Sequence, residues 1–406
     1  MRSVRGIRFV IALIVLGSCS WSQPRFDAGG TANNPFERTI GRTNVTALQR
    51  SWTVPAPTVG SYWNLLAKGN RVFASASGTV DAFDASTGRP LWSAPSHGSA
   101  TRVVLGSATA IASRPGGSDL VLVGELAPGS PLDPKSVGWT TALDSSTGAV
   151  IWSIPEGGGG GVLLDGTLFA RAYRSVGDAS DFSGTIALDA ATGTERFRIA
   201  GFRPRAAADG MVYGDYPDGI AALPSAGCGL PRCTPTWTAH SSYSLFYGSV
   251  AVGNGSLYLA GIQGLEVFPA GGCGSSTCTA AWKAAGSYGA IAVTADRLFL
   301  NNDLFYGSGP NVLHVFDARG CGQATCSQLW GSAVSRDYQM PIVANGLVYL
   351  SARGAPTEAW STDGCGSATC PPLWSTTDAP SVPVTPIVIN GRLLLAGTGI
   401  TTYALP

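Results

Sequence analysis

A short apolar run, a Gly-rich turn and a large aromatic recur eight times along this 406-residue chain, and the eighth copy is divided between its two ends. Three copies are complete: Ala82 to Gly88 with Trp92, Ala142 to Gly148 with Trp152, and Ala187 to Gly193 with Phe197. Four run from Leu223 to Trp237, Phe268 to Trp282, Phe316 to Trp330 and Trp360 to Trp374, with the turn rewritten as a loop between two cysteines. The last copy has its first half at Thr402-Tyr403-Ala404-Leu405 and its second half at Arg50-Ser51-Trp52. The interval is roughly 45 residues, stretched between Asp84 and Asp144, a period that belongs to radial or solenoid repeats. The split copy closes a ring by joining the two ends in one unit.

Each unit holds four short β-like runs. Gly248 to Val252, Ser256 to Ala260, Leu265 to Phe268 and Ala281-Trp282 are one such set, with Asn254-Gly255 as a hairpin turn. The expected fold is all-β: an eight-bladed propeller of four-stranded antiparallel blades over residues 44–406. With 54 Gly, 11 Trp and only 13% charged residues, the composition suits one large β-domain despite the length. In the complete copies Asp84 can accept hydrogen bonds from turn N–H groups, Gly88 can take a positive φ, and Trp92 can wedge between blades. By position the docking aromatics are Trp52, Trp92, Trp152, Phe197, Trp237, Trp282, Trp330 and Trp374.

These copies resemble the pyrroloquinoline-quinone-like repeat propellers, whose blades carry the same A-x-D-x-x-T-G-x-x-x-W signature. The export signal described below makes the lipoprotein propellers of the outer-membrane assembly (BamB) type the nearer likeness, and these imply a scaffold with no enzyme site. Quinone-dependent alcohol dehydrogenases of the same superfamily imply a quinone held between a Trp and a disulfide of adjacent cysteines, above a calcium ion. This chain has no two adjacent cysteines. No cofactor, metal or catalytic residue is expected. The nearest acid and amide cluster, Asn301, Asn302 and Asp303, cannot alone supply the six to eight oxygens calcium takes.

Arg2, Arg5 and Arg8 precede the apolar run Phe9 to Leu16, the pattern of an export signal too short for a permanent span. Leu16-Gly17-Ser18-Cys19 resembles a bacterial lipobox, which makes Cys19 the expected lipid anchor and residues 1–19 its signal peptide. Cleavage a few residues later would instead release a soluble secreted protein. Residues 20–43, rich in Gly, Pro and Asn, read as a flexible tether. The other eight cysteines form four pairs, Cys228/Cys233, Cys273/Cys278, Cys321/Cys326 and Cys365/Cys370, each with the same short spacing, which export permits to oxidise as local disulfides.

Net charge is +1 with the basic residues dispersed, so no basic stripe for nucleic acid forms. His97, His240 and His314 stand apart from any ligand or triad spacing and read as structural. Aromatics and arginines recur where each blade's first strand should begin: Tyr62, Trp63, Arg102, Arg205, Tyr247, Tyr288 and Tyr338. The longest connections between second and third strands, Leu126 to Val137, Tyr173 to Ser183 and Asn302 to Asn311, fall on the same face. The expected function is a monomeric, membrane-anchored ring that binds an envelope protein on this face. Recognition of an envelope glycan, or quinone-dependent oxidation, is the alternative.

Overall fold

A computed structural model gives the architecture; it describes residues 20–406 apart from positions 56, 58–59, 77, 96–104, 127–137, 158–159, 173–183, 218, 231–232, 242–248, 303–310, 380–381 and 383. Eight antiparallel sheets of four consecutive strands follow one another round a ring. Blade 1 comprises Asn64–Lys68, Arg71–Ala76, Thr79–Asp84 and Pro90–Pro95, from the channel outward. In blade 8, Ile387–Ile389, Arg392–Ala396 and Ile400–Ala404 are completed by Gln49–Val54, so the two ends of the chain share one sheet. The seam between the two ends of the chain lies inside blade 8 and is held by the strand pairing of Gln49–Val54 with Ile400–Ala404.

The blades lock through one repeated contact. The outer aromatic of each blade lies on the turn glycine of the next: a Cβ on Gly88 would stand 2.6 Å from the Trp52 ring, on Gly148 2.7 Å from Trp92, and on Gly272 2.7 Å from Trp237. These glycines also have φ of +72°, +74° and +88°, so the position excludes a side chain twice over. Four indoles further donate Nε1–H to a carbonyl of the following blade: Trp52 to Ala85, Trp92 to Ser145, Trp152 to Ala190 and Trp237 to Ala270, at 3.1–3.3 Å. In blade 8 the third and fourth strands come from opposite ends of the chain, and Trp374 of blade 7 packs edge-on to Tyr403.

Two chemistries build the gripping turn. In blades 1 to 3, Asp84, Asp144 and Asp189 each accept hydrogen bonds from the two backbone N–H groups that follow in the turn. In blades 4 to 7 the turn is closed by the disulfides Cys228–Cys233, Cys273–Cys278, Cys321–Cys326 and Cys365–Cys370, with Cα separations of 5.6–5.7 Å. Three of these loops do more than close a turn. Each lies parallel against the outer strand of the preceding blade and exchanges two backbone hydrogen bonds with it, as between Lys283 and Ala324 and between Cys326 and Lys283. The Thr277 and Thr369–Cys370 segments repeat the pairing on blades 4 and 6.

Residues 20–43, expected as a flexible tether, form a packed strap. It crosses the channel mouth in chain order, meeting blade 1 through Trp21 and Ala67, blade 2 through Ser22 and Ile111, and blade 3 through the Gln23 amide and Leu163. It then meets blades 4 to 7 through Ala28, Gly29, Thr31 and Ala32, which accept from Ala207, Val252, Val293 and Val343, and blade 8 through Asn34 and Val388. The physical reason is that every innermost strand is a sheet edge with unpaired main-chain groups, and a backbone laid across them satisfies those groups whatever its side chains. Trp21, fully buried, pins the start of the strap, edge-on to Phe26. The buried Glu37 carboxylate ends it, accepting from the N–H groups of Arg38, Thr39, Ile40 and Gly391.

Candidate functional site

The strap contacts fall at the C-terminal ends of the inner strands, so that mouth of the channel is closed. The opposite mouth is bounded by the starts of the inner strands, the ends of the second strands and the starts of the third strands of each blade. The face that the sequence singles out is this open one.

Three of the tyrosines expected to ring it are not displayed there. Tyr338 is fully buried, with its hydroxyl 2.6 Å from Glu358, which also holds Arg336 at 3.1 and 3.2 Å. Tyr62 is buried and donates to Asp81 at 3.1 Å. Tyr288 is buried against His314 and Phe316 and donates to the Ala285 carbonyl. Burial, and for Tyr62 and Tyr338 the neighbouring carboxylate, push all three phenols upward, so they stay neutral hydrogen-bond donors. An aromatic at the start of an inner strand is swallowed by the gap between blades, and these three belong to the core. Trp63 is half-buried, while Arg102 and Tyr247 lie outside the described residues.

Sequence reasoning missed the acids that the Tyr62 and Tyr338 hydroxyls meet, and a third at the equivalent position. Asp81, Glu266 and Glu358 each stand two residues before the apolar residue that ends the third strand, Phe83, Phe268 and Trp360. Glu266 is held by Lys283 at 2.6 Å and by Ser241 at 3.1 Å. The recurrence of an acid at this one position is a signal the sequence does contain.

Of the predicted face, Arg205 does reach the channel. It lines a cavity of about 290 Å³ at the open mouth, walled by blades 3 to 7 and including Arg171, Ser249 and Met340. The floor is Arg25 of the strap, whose guanidinium donates to the carbonyl of Val250 and, at 3.1 Å, to that of Ile291. Burial and the nearby charge of Arg205 outweigh the attraction of Asp27 and push Arg25 down to about 10. Arg205 is held by Asp215, both of whose carboxylate oxygens lie 3.0 Å from its Nε. The Asp27 carboxyl is pushed up by burial and is tied to Thr31.

His314 bridges Gln328 and Asn302, and its pKa is lowered by burial, as for a structural ring; His240 is exposed on an outer strand, and His97 lies outside the described residues. Among the described residues no three His, Cys, Asp or Glu side chains gather as a metal site.

The family model described as "Outer membrane protein assembly factor BamB" matches residues 48–223. No curated protein matches the chain in sequence. Among solved structures, BamB from Moraxella catarrhalis is similar with a TM-score of 0.60 and 15% identity, covering 88% of this chain and 97% of that one. The quinohemoprotein alcohol dehydrogenase ADHIIG from Pseudomonas putida HK5 is similar to the same degree, with a TM-score of 0.60 and 13% identity, covering 95% of this chain and 80% of that one. A europium-containing methanol dehydrogenase follows at 0.59 and 10%, covering 93% and 89%. At such identities the likeness is one of fold.

Among the described residues, the acid and amide cluster nearest to a calcium set does not fit a quinone with its calcium. The carboxamide of Asn301 is consumed by the N–H of Ala290 and the carbonyl of Tyr338, and that of Asn302 by Val312 and Ser287. The third member of that cluster, Asp303, lies outside the described residues. The disulfides sit in the outer turns, remote from the channel. The repeat and the closed ring make the chain an eight-bladed β-propeller, and over residues 48–223 it is similar to the PQQ-like repeat family that includes BamB.

Proposed function

We propose that the protein is an exported, lipid-anchored scaffold that holds a protein partner of the cell envelope against its open channel mouth. The observation that carries this reading is the division of labour between the two faces. One face is closed by the strap and braced by four disulfides, which suit an oxidising compartment. The other carries the long connections and a polar opening, the usual place for recognition on a rigid frame.

The strap also sets the orientation. Trp21 is fixed in blade 1, and two residues span at most about 7 Å, so an acyl group on Cys19 would hold the strap face against the membrane. The open mouth would then face away from it. A single acyl chain binds a membrane only marginally, so full lipoprotein acylation is required for a stable anchor.

The test is photo-crosslinking in cells from Trp63, at the open mouth, and from Ser275, in a disulfide loop. The scaffold reading expects a discrete adduct from Trp63 in the envelope fraction and none from Ser275; equal labelling from both would sink it. Loss of fatty-acid incorporation in Cys19→Ala checks the anchor separately. A quinone-dependent oxidation is the second reading, favoured by the two dehydrogenase structures of similar fold. It requires saturable quenching of Trp fluorescence by pyrroloquinoline quinone with calcium.

A further inference from the structure

We propose that the channel cavity above the strap is a binding site for a small oxyanion, a carboxylate- or phosphate-bearing metabolite, gripped by Arg25, Arg171 and Arg205. These arginines are far apart in sequence and come from three places: the strap, the second strand of blade 3 and the first strand of blade 4. Among the described residues the lining contains these three guanidinium groups and no carboxylate. Asp215 bonds Arg205 and Asp27 lies near Arg25, but neither carboxylate lines the cavity, so the charged surface it offers a ligand is guanidinium.

The aim of the side chains supports the same reading. Arg25 spends its two terminal nitrogens on the Val250 and Ile291 carbonyls, which fixes the guanidinium as the cavity floor. Its Nε is buried and has no partner, so one directed donor is left over. Arg205 is oriented by Asp215, so its position is set before a ligand arrives. The Ser249 hydroxyl lies on the same wall. Gly30, with φ of +64°, packs where a Cβ would stand 3.2 Å from the Arg25 guanidinium, so the strap's own backbone holds that group in place. Planar guanidinium donors match carboxylate and phosphate oxygens, which sets the ligand class.

The site depends on the strap and not on any partner protein, so it stands or falls apart from the scaffold reading. The test is isothermal titration of the oxidised protein with sodium citrate and with inorganic phosphate, at constant ionic strength against chloride and without divalent cations. Saturable binding of at least one probe with a Kd below about 1 mM is expected, weakened tenfold or more in Arg171→Gln. Arg205→Lys, which keeps the charge and loses the planar donor, is expected to weaken it by a smaller factor. Absence of saturation by either probe overturns the proposal. So does undiminished binding in Arg171→Gln; if that variant does not fold, undiminished binding in Arg205→Lys decides in the same way.

Discussion

Blades 1 to 3 and blades 4 to 7 solve one geometric problem with different chemistry. Each must offer a side-chain-free, positive-φ glycine to the aromatic of the blade before it. The first group shapes that turn with an aspartate, three residues' worth of local hydrogen bonds and nothing covalent. The second shapes it with a disulfide and, in three cases, uses the lengthened loop as an extra strand on its neighbour. Outer strands differ accordingly: Pro90–Pro95 and Glu195–Ala200 have six residues each, whereas Trp282–Ala284 and Trp330–Ser332 have three. A short outer strand is sufficient where the next blade supplies its partner.

The comparison is broken most severely at the aromatics. Trp237→Ala removes a fully buried indole together with its bond to Ala270, and about 3–5 kcal/mol of stability should be lost. Trp92→Ala, at a half-buried site in the unlatched half, should cost roughly half as much. Denaturant melts of both variants check the order. Next comes the covalent staple: Cys321→Ser with Cys326→Ser should cost about 2 kcal/mol on the chain-entropy model. Hydrogen exchange should then speed up at the Lys283 amide, in the neighbouring blade, while Ala94 in blade 1 stays unchanged. A change confined to residues 320–326 would show that the latch is ornamental.

Gly148→Ala forces a left-handed alanine against Trp92 and should lower stability by about 1–2 kcal/mol beyond any shift of the ring. Its thermal midpoint is the readout. The smallest effect is acid sensitivity. The Ser86 hydroxyl, ahead of Thr87 and the turn amides, holds the Asp84 carboxylate down at about 2. A depressed carboxylate contributes in full above the ordinary range, near 3.9, and loses that contribution as pH falls towards 2. Asp84→Asn should therefore melt about one degree below the wild type at pH 6, and the two should coincide by pH 2.

The ring was legible because its determinants are local and periodic: the Asp-x-x-Thr-Gly turns, the cysteine loops and the aromatic after each. The split copy gave the closure for the same reason. Three features were not legible. The strap reads as a tether, since its contacts are made mainly by main chain, which leaves no mark on composition. The latches depend on where a loop falls relative to another blade, and nothing within a copy encodes that. Tyr62, Tyr288 and Tyr338 were placed on the right mouth but at the wrong depth, because position along a strand does not reveal whether the gap beside it admits a ring. Arg205 was found by the same rule, while Arg171 and Arg25 meet it only through the fold.

The strap carries a consequence for how the molecule comes into being. Its residues precede every strand they dock on and so are synthesised before them, yet its eight docking partners are spread from Ala67 to Val388. Contacts of such sequence separation form late, after the loop entropy between them has been overcome. The complete strap therefore docks only once every blade stands, from Ala67 in blade 1 to Val388 in blade 8.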